Sequence, residues 1–302
     1  MVLAMQNSAH TSIPQQATEQ NAAENTMNVD KFISDILSDL RANKLVLPTL
    51  PQVAAKINHI VSNPRSRAKD VAQIVCADPA LSAKLLQVAN SPMMRGEKKI
   101  DNIQAAITRM GTNMVRNIVT TFLVKQLFST KAVSLQKRMT AIWTHSAHVA
   151  AISHVLASRF TTLPPDEIML TGLLHDIGKL PILSKAKELP NLQNNEKILD
   201  SVLDKLHCPL GKTILQAWNF QPAIIQAASD HENLQRHSAE LDHTDIVLIA
   251  NLHSHMGKPT AKKVDWTQIP AFSKLDLDPE TSIGILEEAR DEIKEIQQIL
   301  TT

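Results

Sequence analysis

The chain has 302 residues, of which 43% are hydrophobic and 20% charged, and its formal net charge is +1. This is the composition of a globular protein with one large or two modest domains, and the near-zero charge argues against nucleic acid or an anionic membrane as a partner. The low glycine content and the absence of tyrosine favour an all-α fold. The two cysteines, Cys76 and Cys208, have no metal-type spacing and indicate a reduced, cytoplasmic setting.

The first 28 residues are polar and rich in Gln, Asn and Ala, which predicts a disordered tail. They lack the basic and apolar regions of a signal peptide, and no apolar run approaches the roughly 18 residues of a membrane span. Order is expected from about Val29. In the stretch "VDKFISDILSDLRANKL", one helical face collects the apolar residues Phe32, Ile33, Ile36, Leu37 and Leu40.

Helix boundaries are readable in the next hundred residues. Pro48 and Pro51 lead into a helix in "VLPTLPQVAAKINHIVSN". In "DPALSAKLLQVANS", Asp78 suits the N-cap and Pro79 the first helical position. The stretch "NIQAAITRMGTNMVRNIVTTFLVKQLF" predicts two helices that are broken near Gly111.

The second half also shows a helical pattern. A long helix over residues 135–160 is ended by Pro164 and Pro165, and a new helix begins near Asp166. Further helices are expected at about 196–206, 209–218, 222–230 and 242–256. The last segment, "DPETSIGILEEARDEIKEIQQIL", predicts one amphipathic helix with Ile283, Leu286, Ile293, Ile296 and Leu300 on its apolar face. Docking of this helix on the body is favoured over a partner-binding coiled segment.

Ten of the 12 histidines follow residue 140. Four of them lie on or next to four different predicted helices: His145, His175, His207 and His231. Neutral imidazoles from several helices, together with a carboxylate, are suitable ligands for Zn, Mn or Fe. His148 is expected to be a core or rim residue. Surface positions are expected for His237, His243, His253 and His255.

The stretch "LTGLLHDIGKLPIL" places His175 and Asp176 side by side near a helix C-terminus, with Gly178 as the expected terminator. Two interpretations are open: the pair is a buried polar pair bonded to nearby backbone, or it binds a ligand. The helix dipole disfavours an Asp at a C-terminus unless a cation is near. Lys179 or a metal ion could supply that cation.

Several ordered segments together resemble the HDOD family, the HD-related output domains of bacterial signalling proteins. The first half carries "LPTLPQVAAKI", "IVCADPALSAKLLQVANS" and "IQAAITRMG", and the second half carries "WTHSAHVA", "GLLHDIGKL", "HCPLGKTILQAWNF" and "DHE". The resemblance covers about residues 40–256. It implies two packed helical lobes, an N-terminal bundle at 29–134 and an HD-like bundle at 135–258. A loop and a C-terminal amphipathic helix packed on the body are expected at 259–302.

The resemblance also implies a site, because catalytic members of the wider HD superfamily use one or two divalent ions to hydrolyse phosphate esters. The implied metal ligands are His145, the HD pair His175 and Asp176, and the later histidines His207 and His231. In an active enzyme Asp176 and Lys179 would be catalytic, with Lys179 facing the substrate phosphate.

One departure from the catalytic pattern divides the functional hypotheses. Asn251 lies where catalytic HD proteins have a metal-binding Asp, and Asp245, about one and a half helical turns earlier, should point elsewhere. The favoured hypothesis is a signalling or scaffolding module with a metal-binding but catalytically degenerate site and a separate signalling protein as partner. The alternative is a metal-dependent phosphohydrolase that acts on a nucleotide or another phosphorylated small molecule.

Overall fold

A computed structural model describes residues 31–40, 42, 44, 46–63, 66–94, 98–187, 195–258 and 264–301. The tail at 1–28, with its predicted disorder, lies outside the described residues. Within the described ranges the regular structure is entirely helical, so the predicted all-α fold is confirmed. Across those ranges, no helix has both the length and the apolarity needed to cross a bilayer.

The helices are labelled in chain order. The first five are α1 (31–40), α2 (Gln52–Ser62), α3 (Ala68–Cys76), α4 (Pro79–Ala89) and α5 (Ile103–Lys125). Five more are α6 (Val133–Phe160), α7 (Pro165–Leu174), α8 (Lys179–Ala186), α9 (Glu196–Ala217) and α10 (Pro222–Asp230). The last four are α11 (His243–Ser254), α12 (Pro270–Lys274), α13 (Pro279–Glu288) and α14 (Arg290–Thr301).

Two long helices organise the packing. Helix α5 packs against α2, α3 and α4, while α6 packs against α7, α11 and α14. Helices α8, α9 and α10 extend the second group, because α9 packs on both α8 and α10, and α10 packs on α11. Contact between α5 and α7 joins the groups. The functional residues described below come from the group around α6, α7, α9 and α10.

Local signals in the first half act as predicted. The Asp78 carboxylate accepts hydrogen bonds from the backbone N–H groups of Ala80 (2.9 Å) and Leu81 (3.2 Å), and Pro79 is the first residue of α4. Gly111 has φ 79° and ψ 160°, which breaks the helical path inside α5. Glycine adopts this positive φ without the steric cost that a Cβ would add. Both boundary predictions are therefore confirmed.

Two predicted helix boundaries are wrong. The segments expected at 196–206 and 209–218 form one helix, α9, with Pro209 inside it. Proline removes one backbone hydrogen bond, but the buried face formed by Leu206, Leu210 and Ile214 continues past it and keeps the helix together. The single C-terminal helix is instead two, α13 and α14, separated at Ala289. This break lets α14 pack along α6, where Ile293 is buried.

Gly178 has a different role from the one predicted. Helix α7 ends at Leu174, residues 175–178 form a turn, and α8 begins at Lys179. Gly178 has φ −66°, so it is not a left-handed helix terminator. A Cβ at Gly178 would instead lie 1.9 Å from the His207 carbonyl oxygen and 2.5 Å from the Gly211 nitrogen. The turn therefore needs glycine because the backbone of α9 passes directly against it.

Substitution of Gly178 by alanine should be strongly destabilising, because the clash is with backbone that cannot rotate away. We expect Gly178→Ala to lower the free energy of unfolding by about 3 kcal/mol or more in urea titrations. Gly284, in α13, is the matched control, since a Cβ there meets nothing within 4 Å. Gly284→Ala should be neutral or stabilising by up to about 1 kcal/mol. Equal effects for the two variants would show that the turn does not depend on this close approach.

Candidate metal centre

Five predicted site residues meet at one point in the second half of the chain. His145 comes from the middle of α6, His175 and Asp176 from the turn after α7, His207 from α9, and His231 from the end of α10. One oxygen of Asp176, Oδ2, lies 3.6 Å from His145 Nε2 and 3.4 Å from His175 Nε2. The other, Oδ1, lies 3.5 Å from His207 Nε2 and 3.7 Å from His231 Nε2. The carboxylate therefore lies between two pairs of imidazoles.

Each imidazole is oriented by a hydrogen bond at its outer nitrogen. His175 Nδ1 lies 2.6 Å from the Gly172 carbonyl oxygen, and His207 Nδ1 lies 2.8 Å from that of Leu203. His231 Nδ1 has the same contact with the carbonyl of Ala227 at 3.0 Å. A carbonyl oxygen only accepts, so Nδ1 carries the proton in these rings and Nε2 presents a lone pair to the centre.

His145 is oriented in the same sense by a hydroxyl group. The Ser254 Oγ donates to the Asn251 carbonyl oxygen at 2.7 Å, which leaves the hydroxyl oxygen free to accept from His145 Nδ1 at 3.4 Å. All four imidazoles therefore turn an Nε2 lone pair toward Asp176.

The inward-facing atoms are not satisfied by one another. His207 Nε2 and His231 Nε2 are 3.2 Å apart, and both carry lone pairs in the tautomers fixed by their backbone contacts. His175 Nε2 and Asp176 Oδ1 are buried and have no hydrogen-bond partner among the described residues. Unsatisfied buried acceptors are costly, and a cation placed among them removes that cost.

The donor set and its spacing fit a divalent metal ion. Neutral imidazole and carboxylate are the usual ligands of Zn, Mn and Fe in proteins. Two ligand atoms bound to one ion are about 3.0–3.4 Å apart in tetrahedral or octahedral geometry. The separations between Asp176 oxygens and the four imidazoles, 3.4 to 3.7 Å, lie at or slightly above the upper end of that range.

One positive charge already touches the cluster. Lys179 Nζ lies 2.5 Å from Asp176 Oδ2, so the lysine neutralises one carboxylate oxygen, while Oδ1 has no hydrogen-bond partner within the described ranges. Burial alone raises the pKa of the Asp176 carboxyl, but the positive charge of Lys179 opposes it and that pKa is held well below its usual range. Asp176 is therefore ionised at neutral pH and is the anionic centre of the cluster.

Burial disfavours the charged form of two of the imidazoles. It lowers the pKa of His145 well below its ordinary value and lowers that of His207 as well, although the nearby Asp176 opposes both shifts. Neutral rings cannot supply the positive charge that the unpaired Asp176 oxygen lacks. His145, His207 and Asp176 are therefore in the protonation states that bind a metal ion.

Four further residues line the partly exposed rim of the cluster, and sequence reasoning did not select them as ligands. Glu232 Oε1 lies 3.9 Å from His231 Nε2 and accepts from Asn251 Nδ2 at 3.4 Å. The ring of His255 packs on that of His145 with centroids 5.0 Å apart. Cys208 Sγ is 3.4 Å from His207 Nε2, and burial raises the pKa of its thiol to about 12.

The signals for these rim residues in the sequence are weak. Cys208 and Glu232 each directly follow a predicted ligand, and adjacent helical residues point about 100° apart, which argues against a shared site. His231 ends α10 and Glu232 begins a turn, so the helical rule no longer applies there.

The expectation that Asp245 points away from the site is confirmed, because its buried carboxylate pairs with Arg236 and with Lys274 Nζ at 3.0 Å. The predicted surface positions of three histidines are wrong. His243 is buried against Thr171, and His253 is buried with its Nε2 2.9 Å from Ser282 Oγ. His255 is half-buried against His145, while His237 is exposed as expected. The half-buried His148 fits the expected core or rim position.

Comparison with known proteins identifies the class. The HDOD domain family matches residues 47–234, well over half of the chain, and the chain belongs to this family. The match includes all five residues of the cluster. The rim residues Asn251 and His255 lie beyond residue 234 and are outside it. An "Uncharacterized protein" of Treponema pallidum (strain Nichols) is 24% identical over 199 residues, which cover 62% of this chain and 38% of that protein.

Solved structures agree with the fold. A candidate metal-dependent phosphohydrolase from Shewanella amazonensis SB2B is 28% identical, and the alignment covers 91% of this chain and 99% of that chain with a TM-score of 0.79. An HDOD domain protein with unknown function from Geobacter sulfurreducens is 21% identical over 90% of this chain and 98% of that chain, with a TM-score of 0.67. The helical architecture is therefore shared with HDOD and phosphohydrolase-like structures.

The buried His253 should make the metal-free protein less stable in acid. Burial lowers the pKa of its imidazole from 6.5 to about 4. Because the pKa of His253 is lower in the folded state than in the unfolded state, folding disfavours protonation of its imidazole. The folded protein therefore keeps its full stability above pH 6.5 and loses stability as the pH falls toward 4. We expect roughly 2 kcal/mol of this loss between about pH 7 and 5, measured by urea unfolding in chelator.

The test compares two histidine variants over that pH range. His253→Gln should flatten the decline in the free energy of unfolding, whereas His237→Gln, at an exposed position, should leave it unchanged. Identical pH profiles for wild type and His253→Gln would contradict a buried, neutral His253.

Proposed function

We propose that this chain is an HDOD signalling module that binds a divalent ion and uses it to hold its second helical group in one arrangement. The ligands are the five residues of the cluster: His145, His175, Asp176, His207 and His231. The observation that carries the proposal is the convergence of four imidazole Nε2 atoms on the Asp176 carboxylate, whose buried Oδ1 has no hydrogen-bond partner among the described residues.

The ion would link elements that are distant in the chain. Its ligands come from α6, the turn after α7, α9 and the end of α10. Binding to the folded state alone stabilises that state by mass action, so occupancy of the site would set the rigidity of this helical group. A signalling protein that docks on these helices would then bind the loaded and the empty forms differently.

Two contacts favour a module over an enzyme. Asn251 presents a neutral amide at the rim, and its Nδ2 donates a hydrogen bond to the Glu232 carboxylate, which reduces the capacity of that carboxylate to act as a base. Lys179 Nζ is paired with Asp176 Oδ2, so a substrate phosphate would have to compete with a buried carboxylate for it. Both contacts reduce the charge available to a phosphate ester.

A second candidate function is a metal-dependent phosphohydrolase acting on a nucleotide or another phosphorylated small molecule. The 28% identical Shewanella structure, described as a candidate metal-dependent phosphohydrolase, favours it. A bound divalent ion would supply a water of lowered pKa and would neutralise phosphate charge. On this reading Glu232, whose side chain is 35% exposed, would be the general base, and Lys179, which contacts Asp176, would orient the phosphate.

Metal content tests the binding proposal directly. We expect protein purified without added metal to carry about one equivalent of Zn, Mn or Fe by elemental analysis. His175→Ala should lose this metal and melt at a lower temperature, whereas His237→Ala, at an exposed position, should retain it. A metal-free wild type that also fails to bind added Zn, Mn or Fe would contradict the proposal.

Adding a carboxylate at position 251 should strengthen the site. The buried Asn251 Oδ1 has no hydrogen-bond partner among the described residues, and the Nδ2 of the same side chain donates to Glu232. We expect Asn251→Asp to bind Mn about tenfold more tightly, because the new charge is unfavourable beside Glu232 unless a cation is present.

The same variant separates the two functions. Wild type inert toward phosphomonoesters and phosphodiesters with added Mn, with turnover appearing in Asn251→Asp, would support the degenerate module. Turnover in wild type that is lost in His175→Ala would establish the phosphohydrolase instead.

A further inference from the structure

Cys208 occupies a place in the cluster that neither its spacing in the sequence nor the family resemblance assigns to it. It follows His207 in α9 and is half-buried, with Sγ 3.4 Å from His207 Nε2. The ligand atoms of His207, Cys208 and His231 all lie within 4.8 Å of one another. A second such group is formed by His145, His175 and Asp176.

The two groups differ in what already satisfies them. Asp176 Oδ2, which faces His145 and His175, has Lys179 Nζ at 2.5 Å. Asp176 Oδ1, which faces His207 and His231, is buried and has no hydrogen-bond partner among the described residues. The carboxylate oxygen without a positively charged partner, Asp176 Oδ1, therefore faces the group that contains Cys208.

Building on the proposed metal-binding function, we infer that His207, Cys208, His231 and Asp176 Oδ1 form a thiolate-containing zinc subsite. When zinc binds, the Cys208 S–H bond breaks, the sulfur lone pair bonds to zinc and the proton leaves to solvent. A thiolate ligand favours zinc over manganese, which prefers oxygen ligands.

Ligand spacing supports a tetrahedral site. An ion about 2.05 Å from each nitrogen and about 2.3 Å from the sulfur would see His207 Nε2 and Cys208 Sγ, 3.4 Å apart, at roughly 103°. His207 Nε2 and His231 Nε2, 3.2 Å apart, correspond to roughly 103° as well. Asp176 Oδ1 lies 3.5 Å from His207 Nε2 and 3.7 Å from His231 Nε2, which corresponds to roughly 115° and 126°. These angles scatter around the tetrahedral value that structural zinc sites adopt.

The competing explanation is a weak S–H···N hydrogen bond. In that arrangement Cys208 donates to His207 Nε2 and no ion is involved. It satisfies one lone pair, but it leaves His231 Nε2 and Asp176 Oδ1 without a positive partner. The zinc subsite satisfies all of them together.

The test uses the full chain, zinc-loaded for X-ray absorption and cobalt-loaded for optical spectra. We expect a sulfur scatterer about 2.3 Å from zinc and a thiolate-to-cobalt charge-transfer band. Cys208→Ser should remove both signals and lower the zinc-to-manganese affinity ratio at least tenfold. Cys76→Ser is the matched control, because Cys76 is exposed in α3 and is the other cysteine of the chain.

The outcomes separate this inference from the proposed function. Zinc bound by wild type with nitrogen and oxygen scatterers but no sulfur would overturn the thiolate subsite and leave metal binding intact. Wild type that binds neither zinc nor cobalt would overturn both. Thermal unfolding of Cys208→Ser in chelator checks that the variant folds. If the variant does not fold, the presence or absence of a sulfur scatterer in the wild-type spectrum still tests the thiolate subsite.

Discussion

The carboxylate of Asp176 is the constraint around which the second half of the protein is arranged. It is 1% exposed and ionised, it lies among four imidazoles, and its oxygens face two different pairs of them. A buried charge of this kind is stable only when it is compensated. Lys179 compensates one oxygen, and the arrangement of the remaining atoms calls for a second cation.

The backbone is shaped to bring this carboxylate into place. Helix α7 stops at Leu174, and the turn that follows carries His175 and Asp176 toward α9. The approach is so close that Gly178 has no space for a side chain against the His207 carbonyl. Carbonyl groups one helical turn before His207 and His231 then fix both rings with Nε2 inward. The close packing of Gly178 on α9 and the positions of the metal ligands therefore depend on the same turn.

Much of this could be predicted from sequence. Apolar periodicity, Asp78 and Gly111 located helices and breaks, because these signals act over a few residues. The five cluster residues were selected through the family resemblance, not through spacing alone. The resemblance did not reveal the role of Gly178, because the atoms that exclude a side chain belong to α9, some thirty residues later along the chain.

Other features depended on tertiary packing and could not be predicted. Pro209 should have ended a helix, yet the buried face on either side of it keeps α9 continuous. His253 has polar neighbours in sequence but is covered by Trp266 and Ser282 from the C-terminal segment. Cys208 reaches the cluster although adjacent helical residues usually diverge. For His253 the deciding contacts come from another part of the chain.

Anomalous X-ray diffraction from crystals of the full chain, grown from protein purified without added metal, tests the central claim most directly. The account predicts a peak at the zinc, manganese or iron edge among the inward-facing atoms of the cluster, bonded to Asp176 and to imidazole Nε2 atoms. It would be contradicted by crystals without such a peak, even after soaking in these ions, in which Asp176 Oδ1 accepts a hydrogen bond from a protonated imidazole.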